Sequence, residues 1–119
     1  MRALLAVALV LAVSARAAPP KPGSEDAELM AGHEDWIKDQ HNTKQQWCCD
    51  LSDGRPAELR RLADGSYEVH YTREHWKDGN DEWLPVPPEA ILPQQSPIYV
   101  PIAWILRGRV YCVALSGAS

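Results

Sequence analysis

The chain has 119 residues, which is enough for one domain and not for two. It carries 12 Lys and Arg against 16 Asp and Glu, a formal net charge of −4. This balance argues against binding to DNA or RNA backbones, because that affinity depends on clustered cations. Hydrophobic residues make up 45% of the chain, which is usual for a globular domain and argues against wholesale disorder.

The first 17 residues have the pattern of a secretory signal peptide. Met1-Arg2 precede an apolar run over residues 3–13, and Ala15-Arg16-Ala17 matches the A-x-A cleavage pattern. The run is much shorter than the roughly 20 residues that a membrane-spanning helix needs. The sequence therefore predicts a signal peptide over residues 1–17, no membrane span after its removal, and a mature protein that is secreted or periplasmic.

A proline-rich linker and a helix are predicted next. Residues 18–23 include three prolines, which favour an extended segment. Ser24 can cap a helix that follows it. Four apolar side chains then recur at roughly helical spacing, namely Leu29, Met30, Trp36 and Ile37. Because Gly32 interrupts this pattern, we expect either one frayed helix or a short one from about His33 to Gln40.

The second half of the chain has the pattern of short strands. Residues 59–63 and 66–72 flank Asp64-Gly65, a dipeptide that is favoured in two-residue type I′ hairpins. A turn of this length would place Arg61 opposite Glu68 as a pair of opposite charges on neighbouring strands.

Two further segments extend this pattern. Residues 82–86 form a short strand in which Pro85 favours a position at the edge of a sheet. Residues 98–106 and 109–115 flank Arg107-Gly108 and form a hairpin that is largely apolar on both faces. We therefore expect both faces of this hairpin to be covered.

The order of these elements predicts one small domain over residues 24–117. Its fold class is α+β and mainly β, with an N-terminal helix followed by a small antiparallel meander or a partly open SH3-like barrel.

The predicted compartment decides whether the three cysteines, Cys48, Cys49 and Cys112, are expected to form a disulfide. The simplest arrangement in an oxidising compartment is a disulfide between Cys112 and either Cys48 or Cys49. It would close a loop of about 63 residues and stabilise the fold by about 4 kcal/mol in the chain-entropy model. The third cysteine would be free, buried, or available to a second chain, which leaves a disulfide-linked dimer as an alternative.

The sequence contains no catalytic signature. It has neither a G-x-S-x-G motif nor a phosphate-binding glycine loop, and its 16 acidic residues do not single out a carboxylate pair. We therefore expect a protein that is not an enzyme and has no cofactor. Zinc spacings such as C-x₂-C or H-x₃-H do not occur. The alternative is a periplasmic zinc- or copper-handling protein that uses His70, His75 and the cysteine thiol outside the disulfide.

Clustered aromatic residues suggest a binding function. The chain has five Trp and four Tyr but no Phe, and Tyr71, Trp76 and Trp83 lie around one predicted turn. Trp and Tyr combine an apolar ring with a polar group, which suits sugar stacking or a peptide groove. The alternative is that tryptophans fill the core of a small protein without Phe. The candidates for that role are Trp36, Trp47, Trp83 and Trp104.

Four short motifs also carry a resemblance to other proteins. They are His33 with Trp36-Ile37, Trp47-Cys48-Cys49-Asp50, Glu82-Trp83-Leu84-Pro85-Val86-Pro87 and Val110-Tyr111-Cys112. Over most of residues 32–117 the chain resembles a group of small secreted bacterial proteins of unknown function, which carry a tryptophan helix, a CCD motif, a W-V-x-V-P strand and a cysteine in the last strand.

This resemblance implies a secreted single domain in which Cys112 pairs back to the CCD motif, and it implies no catalytic residue. The chain departs from the group at its end, where residues 113–117 replace an aromatic residue followed by Pro-Gly. The resemblance therefore implies no role for residues 113–117.

Together these features predict a secreted or periplasmic binding domain without enzymatic activity. Its partner would be a protein or a cell-envelope glycan, recognised through an aromatic patch of Tyr71, Trp76 and Trp83. No nucleic-acid partner is expected.

Overall fold

The computed structural model describes residues 20–51 and 53–117. The predicted signal peptide over residues 1–17 lies outside these residues. The end of the predicted linker is a turn, which is closed by a hydrogen bond from the Ser24 amide to the carbonyl oxygen of Lys21 (3.0 Å). No helix within the described part of the chain is long and apolar enough to cross a membrane.

Three short helices lie in the first part of the domain: α1 (Glu25–Met30), α2 (Glu34–Lys38) and α3 (Cys48–Leu51). Ser24 caps α1, since its Oγ accepts a hydrogen bond from the amide of Ala27 (3.2 Å). Gly32 has a φ of +82° and separates α1 from α2, so the structure has two short helices where the sequence predicts one, and the second ends at Lys38 rather than at about Gln40. The helix α3 has no counterpart among the predicted elements.

The described residues form two three-stranded antiparallel sheets. The six strands are β1 (Gly54–Pro56), β2 (Leu59–Arg61), β3 (Tyr67–Tyr71), β4 (Glu82–Pro85), β5 (Ile102–Leu106) and β6 (Arg109–Ala114). One sheet has the order β1-β5-β6, and the other is a meander in the order β2-β3-β4. A 3₁₀ helix, Pro88–Ala90, follows β4. The mainly β, α+β class with an antiparallel meander is therefore confirmed, and β4 lies at an edge as Pro85 predicts.

The turn between β2 and β3 is one residue longer than the predicted two-residue hairpin. The amide of Leu62 donates to the carbonyl oxygen of Ser66 (2.8 Å), so three residues lie between the closing pair. Gly65 has a φ of +87° and provides the left-handed residue that this loop requires. Hydrogen bonds from Ser66 hold the pKa of the Asp64 carboxyl below its usual range and fix the loop.

The longer turn changes the strand register. Glu68 lies opposite Arg60 rather than opposite Arg61. Because side chains alternate between the two faces of a strand, this one-residue change moves Arg60 to the face that carries Glu68. The same face carries His70 and, across the β3–β4 pair, Trp83.

The predicted hairpin at the end of the chain is confirmed. Its turn residues Arg107 and Gly108 have φ values of +51° and +75°, which match a two-residue type I′ turn. A register shift between Trp104 and Ile105 leaves Tyr111 as an extra residue in β6, a β-bulge. The strand β5 begins directly after Pro101, which has no amide to donate to a ladder.

The sheet β1-β5-β6 is the middle layer of the domain. On one side it packs against the inner face of the meander, and the buried residues of this core include Val69, Tyr71, Ala103, Ile105 and Val113. On its other side it packs against the helices, and the buried residues there include Met30, Cys48, Ile102, Trp104 and Cys112. Both faces of the β5–β6 hairpin are covered, as its apolar pattern predicts.

A disulfide joins Cys48 in α3 to Cys112 in β6. It fixes the helical side of the domain to the middle sheet and identifies which member of the adjacent cysteine pair bonds to Cys112. The thiol of Cys49 lies beside it, where its Sγ accepts a hydrogen bond from Trp104 Nε1 (3.4 Å) and donates one to the carbonyl oxygen of Ile37 (3.4 Å).

We predict that Cys48→Ala/Cys112→Ala lowers the free energy of unfolding by about 4 kcal/mol, because the disulfide closes a loop with a sequence separation of 64 residues. Urea denaturation at neutral pH measures this loss. The control is Cys49→Ser, which keeps a donor and an acceptor at that position and should change stability much less. A double variant within about 1 kcal/mol of wild type would contradict the prediction.

Candidate functional site

The structure separates Trp83 from Tyr71 and Trp76, the other two aromatic residues that the sequence predicts as one binding patch. Tyr71 (2% exposed) and Trp76 (6% exposed) belong to the core between the two sheets. Trp83 lies opposite His70 in the β3–β4 pair, on the solvent-facing side of the meander, and is half-buried. Of the three residues of the predicted patch, Trp83 therefore lies at the surface, whereas Tyr71 and Trp76 are buried in the core.

The loop between β3 and β4 buries Trp76. The Trp76 amide donates to the carbonyl oxygen of Thr72 (2.9 Å), and the Gly79 amide donates to the carbonyl oxygen of Trp76 (2.9 Å). A Cβ at position 79 would collide with the backbone carbonyl of Thr72, so the close approach requires glycine. The Trp76 ring consequently packs against Tyr71, with 5.7 Å between the ring centroids.

Burial, and next the nearby carboxylate of Asp78, raise the pKa of Tyr71 to about 12. The phenol is therefore neutral over the whole physiological pH range.

The other tryptophans divide between core and surface. Trp104 is fully buried, and Trp36 packs partly buried against the helix-side core. Trp47 is exposed, with its ring edge against His41 (5.4 Å between centroids). The alternative interpretation, in which tryptophans fill the core, thus holds for Trp104 and in part for Trp36, but not for Trp47 or Trp83.

A cluster of interacting side chains covers the outer side of the meander. We call it the Trp83 face, and it consists of Arg60, Glu68, His70 and Trp83. Arg60 donates from Nε to Glu68 Oε1 (2.8 Å), and its Nη2 lies 2.7 Å from the same oxygen. The Arg60 guanidinium also lies 4.2 Å from the centroid of the Trp83 ring. The imidazole of His70 stacks on Trp83 with 4.6 Å between centroids and 6° between planes.

His70 connects the Trp83 face to its surroundings. Its Nε2 lies 3.1 Å from the carbonyl oxygen of Asp81, and its Nδ1 lies 3.4 Å from Oε2 of Glu58. The Trp83 indole on β4 is therefore held by Arg60 from β2 and by His70 from β3, and His70 in turn contacts Glu58 and the carbonyl oxygen of Asp81. Tryptophan and arginine are among the residue types that most often supply the binding energy at protein interfaces.

A cleft of about 560 Å³ lies beside this face, between α1, the segment that joins β1 to β2, and residues 99–100. Four carboxylates line it, those of Glu25, Asp26, Glu28 and Glu58. His75 also lines the cleft, and its Nδ1 lies 2.8 Å and 3.0 Å from the two Asp26 carboxylate oxygens. Tyr99, which is 79% exposed, also lines the cleft. The charge of this cleft favours cationic groups over anions.

The two histidines of the metal alternative do not share a site. His70 contacts Glu58 and Trp83, whereas His75 contacts Asp26 on α1. Within residues 20–51 and 53–117, no group of three or more His, Cys, Asp and Glu side chains is placed to hold a metal ion. The Cys49 thiol lies on the helical side, against Ile37 and Trp104.

Sequence reasoning did not identify Arg60 or Glu58 as parts of the site. The alternation of side chains along β2 and β3 could have identified Arg60, because it places every second residue of a strand on one face. The assumed turn length paired Glu68 with the wrong arginine. Glu58 precedes β2, and no sequence signal connects it with His70.

Comparison with protein-family models, curated proteins and solved structures gives no match for this chain.

The raised pKa of Tyr71 predicts a loss of stability at alkaline pH. The phenol ionises near pH 10 in the unfolded chain but only near about 12 in the folded domain. The neutral Tyr71 phenol therefore makes its full contribution to the stability of the fold below pH 10, and this contribution is lost as the pH rises towards about 12. Urea denaturation over this range should show a steeper decline for wild type than for Tyr71→Phe.

The matched control is Tyr99→Phe, which removes an exposed hydroxyl and should keep the wild-type slope. All three proteins should carry Cys49→Ser, because a thiolate at high pH attacks disulfides. Equal slopes for Tyr71→Phe and wild type would contradict the prediction.

Proposed function

We propose that this protein is a secreted or periplasmic binding domain without enzymatic activity, and that it recognises a protein partner through the Trp83 face. The observation that carries the proposal is the position of Trp83. Its indole lies on the solvent side of the meander and contacts His70 and Arg60, while the other aromatic residues of the predicted patch are in the core.

The contacts of Trp83 favour a protein partner over a glycan. A sugar binds to an aromatic platform by stacking on an open ring face. The His70 imidazole already stacks on the indole, and the Arg60 guanidinium lies over it. Both groups compete with a sugar for the ring. A partially exposed Trp beside Arg is instead typical of protein interfaces, where a few such residues supply most of the binding energy. The acidic cleft adjoining the face through Glu58 would favour a partner that presents Lys or Arg beside the contact.

Two observations support the location. The first 17 residues have the charge, length and cleavage pattern of a signal peptide. The Cys48–Cys112 disulfide is of the kind that persists in oxidising compartments.

We predict that Trp83→Ala weakens capture of the partner by at least tenfold, because a truncated interface tryptophan typically costs more than about 2 kcal/mol. The measurement uses the purified protein on a solid support, with a cell-envelope extract and separately with insoluble envelope glycan. Bound protein is quantified by mass spectrometry.

The matched control is Trp47→Ala, which removes an exposed tryptophan that lies next to His41 and outside the Trp83 face. Circular dichroism and urea denaturation establish that both variants fold. Capture that is equal for Trp83→Ala and Trp47→Ala would overturn the proposal. Retention of the wild type on glycan alone would replace the protein partner with a glycan.

The location predicts the mass of the processed protein. Protein recovered from the periplasm or the medium should begin at Ala18, contain one disulfide, and add one alkylating group after unfolding without reductant, at Cys49. Intact mass measurement with and without reductant tests all three. A mass that includes residues 1–17, or a protein found only in the cytoplasm, would contradict the proposed location.

A further inference from the structure

The strand β2 forms one edge of the meander, and its pairing with β3 fixes the direction of its backbone groups. The amide of His70 donates to the carbonyl oxygen of Glu58 (3.0 Å), so residue 58 bonds across to β3. The backbone groups of an antiparallel strand face its neighbour at every second residue, and Arg60 therefore faces β3 as well. The amide and carbonyl groups of Leu59 and Arg61 point the other way, to the outside of the sheet.

The outer edge of β2 is uncovered. Within residues 20–51 and 53–117, no group forms a hydrogen bond with the outward amide or carbonyl oxygen of Leu59 or Arg61. Residues 60–63 are all exposed. Two amides and two carbonyl oxygens are therefore in position to pair with a further strand.

Two of the other sheet edges carry a proline at an outward position. In β1 the amide of Ala57 donates to the carbonyl oxygen of Pro101 (2.8 Å), so alternation points Pro56 away from β5. In β4 the amide of Val86 donates to β3 (2.9 Å), so alternation points Pro85 away from β3. Proline has no amide hydrogen, and neither edge therefore offers a full set of pairing groups.

The edge of β6 is covered by the segment that follows the 3₁₀ helix. The amide of Leu92 donates to the carbonyl oxygen of Val113 (2.9 Å), and the amide of Ser96 donates to the carbonyl oxygen of Leu115 (2.7 Å). Among the strands of the described residues, β2 is therefore the edge that keeps its outward donors and acceptors both present and uncovered. Exposed edges of this kind are the sites at which other chains add a strand.

The side chains along β2 determine which strand fits this edge. Arg60 is paired with Glu68, whereas Arg61 has the Tyr67 ring beside it (5.8 Å to the centroid) and is exposed. Glu58 lines the acidic cleft. Opposite charges on neighbouring strands stabilise a sheet, and like charges directly opposite destabilise it. An incoming strand is therefore favoured if it is acidic opposite Arg61 and basic opposite Glu58.

A second copy of this chain fits the edge less well. Antiparallel pairing that uses Leu59 and Arg61 of both copies places the Leu59 of each copy opposite the Arg61 of the other. The two Arg60 side chains are then directly opposite each other, which is repulsive. The charge pattern thus favours a strand from a different protein.

We propose that the open edge of β2 binds an extended segment of a protein partner as an added antiparallel strand, with an acidic residue opposite Arg61 and a basic residue opposite Glu58. In this mode of binding, backbone hydrogen bonds supply affinity and the side chains supply specificity. The proposal rests on the proposed function, since the added strand lies next to Arg60 of the Trp83 face. The basic residue is the Lys or Arg that the acidic cleft favours.

The test uses a synthetic peptide, acetyl-Val-Glu-Thr-Val-Lys-amide, whose residues in order lie opposite residues 62, 61, 60, 59 and 58. It is titrated into the ¹⁵N-labelled mature protein and followed by NMR. We expect the amide signals of Leu59 and Arg61 to shift and their hydrogen exchange to slow, because both amides gain acceptors. The control peptide, acetyl-Val-Lys-Thr-Val-Glu-amide, exchanges the two charges and should bind about tenfold more weakly. Absence of shifts at Leu59 and Arg61, or equal binding of the two peptides, would overturn the proposal.

Methylation of single peptide nitrogens tests strand addition directly and leaves the protein unchanged. The amide of the peptide glutamate faces β2, whereas the amide of the neighbouring threonine faces away from it. A methyl group on the glutamate nitrogen should weaken binding about tenfold, because it removes a hydrogen bond and blocks the approach of the strand. The same group on the threonine nitrogen should have little effect. Equal loss from the two methylated peptides would show that the peptide is not bound as a strand.

The peptide titration and the capture experiment with Trp83→Ala separate the two proposals. No peptide binding, together with capture that is lost in Trp83→Ala, would overturn strand addition and leave the proposed function in place. Peptide binding, together with capture that is unchanged in Trp83→Ala, would overturn the role of the Trp83 face and leave the open edge as a binding surface. Signals of Leu59 and Arg61 that shift with protein concentration alone would replace the partner strand with a second copy of this chain.

Discussion

The sheet β1-β5-β6 is apolar on both faces, and the rest of the domain is arranged to cover it. The helices cover one face and the meander covers the other. A small domain has few residues for this purpose, so each of the two covering layers has one apolar side and one polar side. The polar side of the meander is thereby left toward solvent, and it carries the cluster of Arg60, Glu68, His70 and Trp83. The position of the candidate site is a consequence of the need to cover the middle sheet.

Much of this arrangement could be predicted from the amino-acid sequence, because several signals are local. The apolar residues on both faces of 98–106 and 109–115 indicate a covered hairpin, Pro85 indicates an edge strand, and Ser24 indicates a helix start. Each of these depends on the chemistry of one residue or on a simple alternation. The apolar pattern also marks the break at Gly32, although it predicts one helix in this region and the structure has two.

The site could be predicted only in part, because it depends on distances that sequence patterns do not encode. Asp64-Gly65 is compatible with loops of two or three residues, and the choice decides whether Arg60 or Arg61 faces Glu68. Tyr71, Trp76 and Trp83 are close in sequence, but strand alternation and a tight loop at Gly79 turn two of them into the core. The strand β1 has three residues, two of which are Gly54 and Pro56, and it is recognisable only from its pairing with β5.

The bulge at Tyr111 has a consequence for how the helical layer is attached. The carbonyl oxygen of Tyr111 accepts a hydrogen bond from the buried side chain of Asn42 (3.2 Å), while the next residue, Cys112, carries the disulfide to Cys48. Two adjacent residues of one strand thus hold both ends of the segment 42–48. One link is covalent and sensitive to reductant, and the other is a neutral hydrogen bond that reductant and pH leave unchanged. A reducing environment would therefore loosen this segment at one end and leave it anchored at the other.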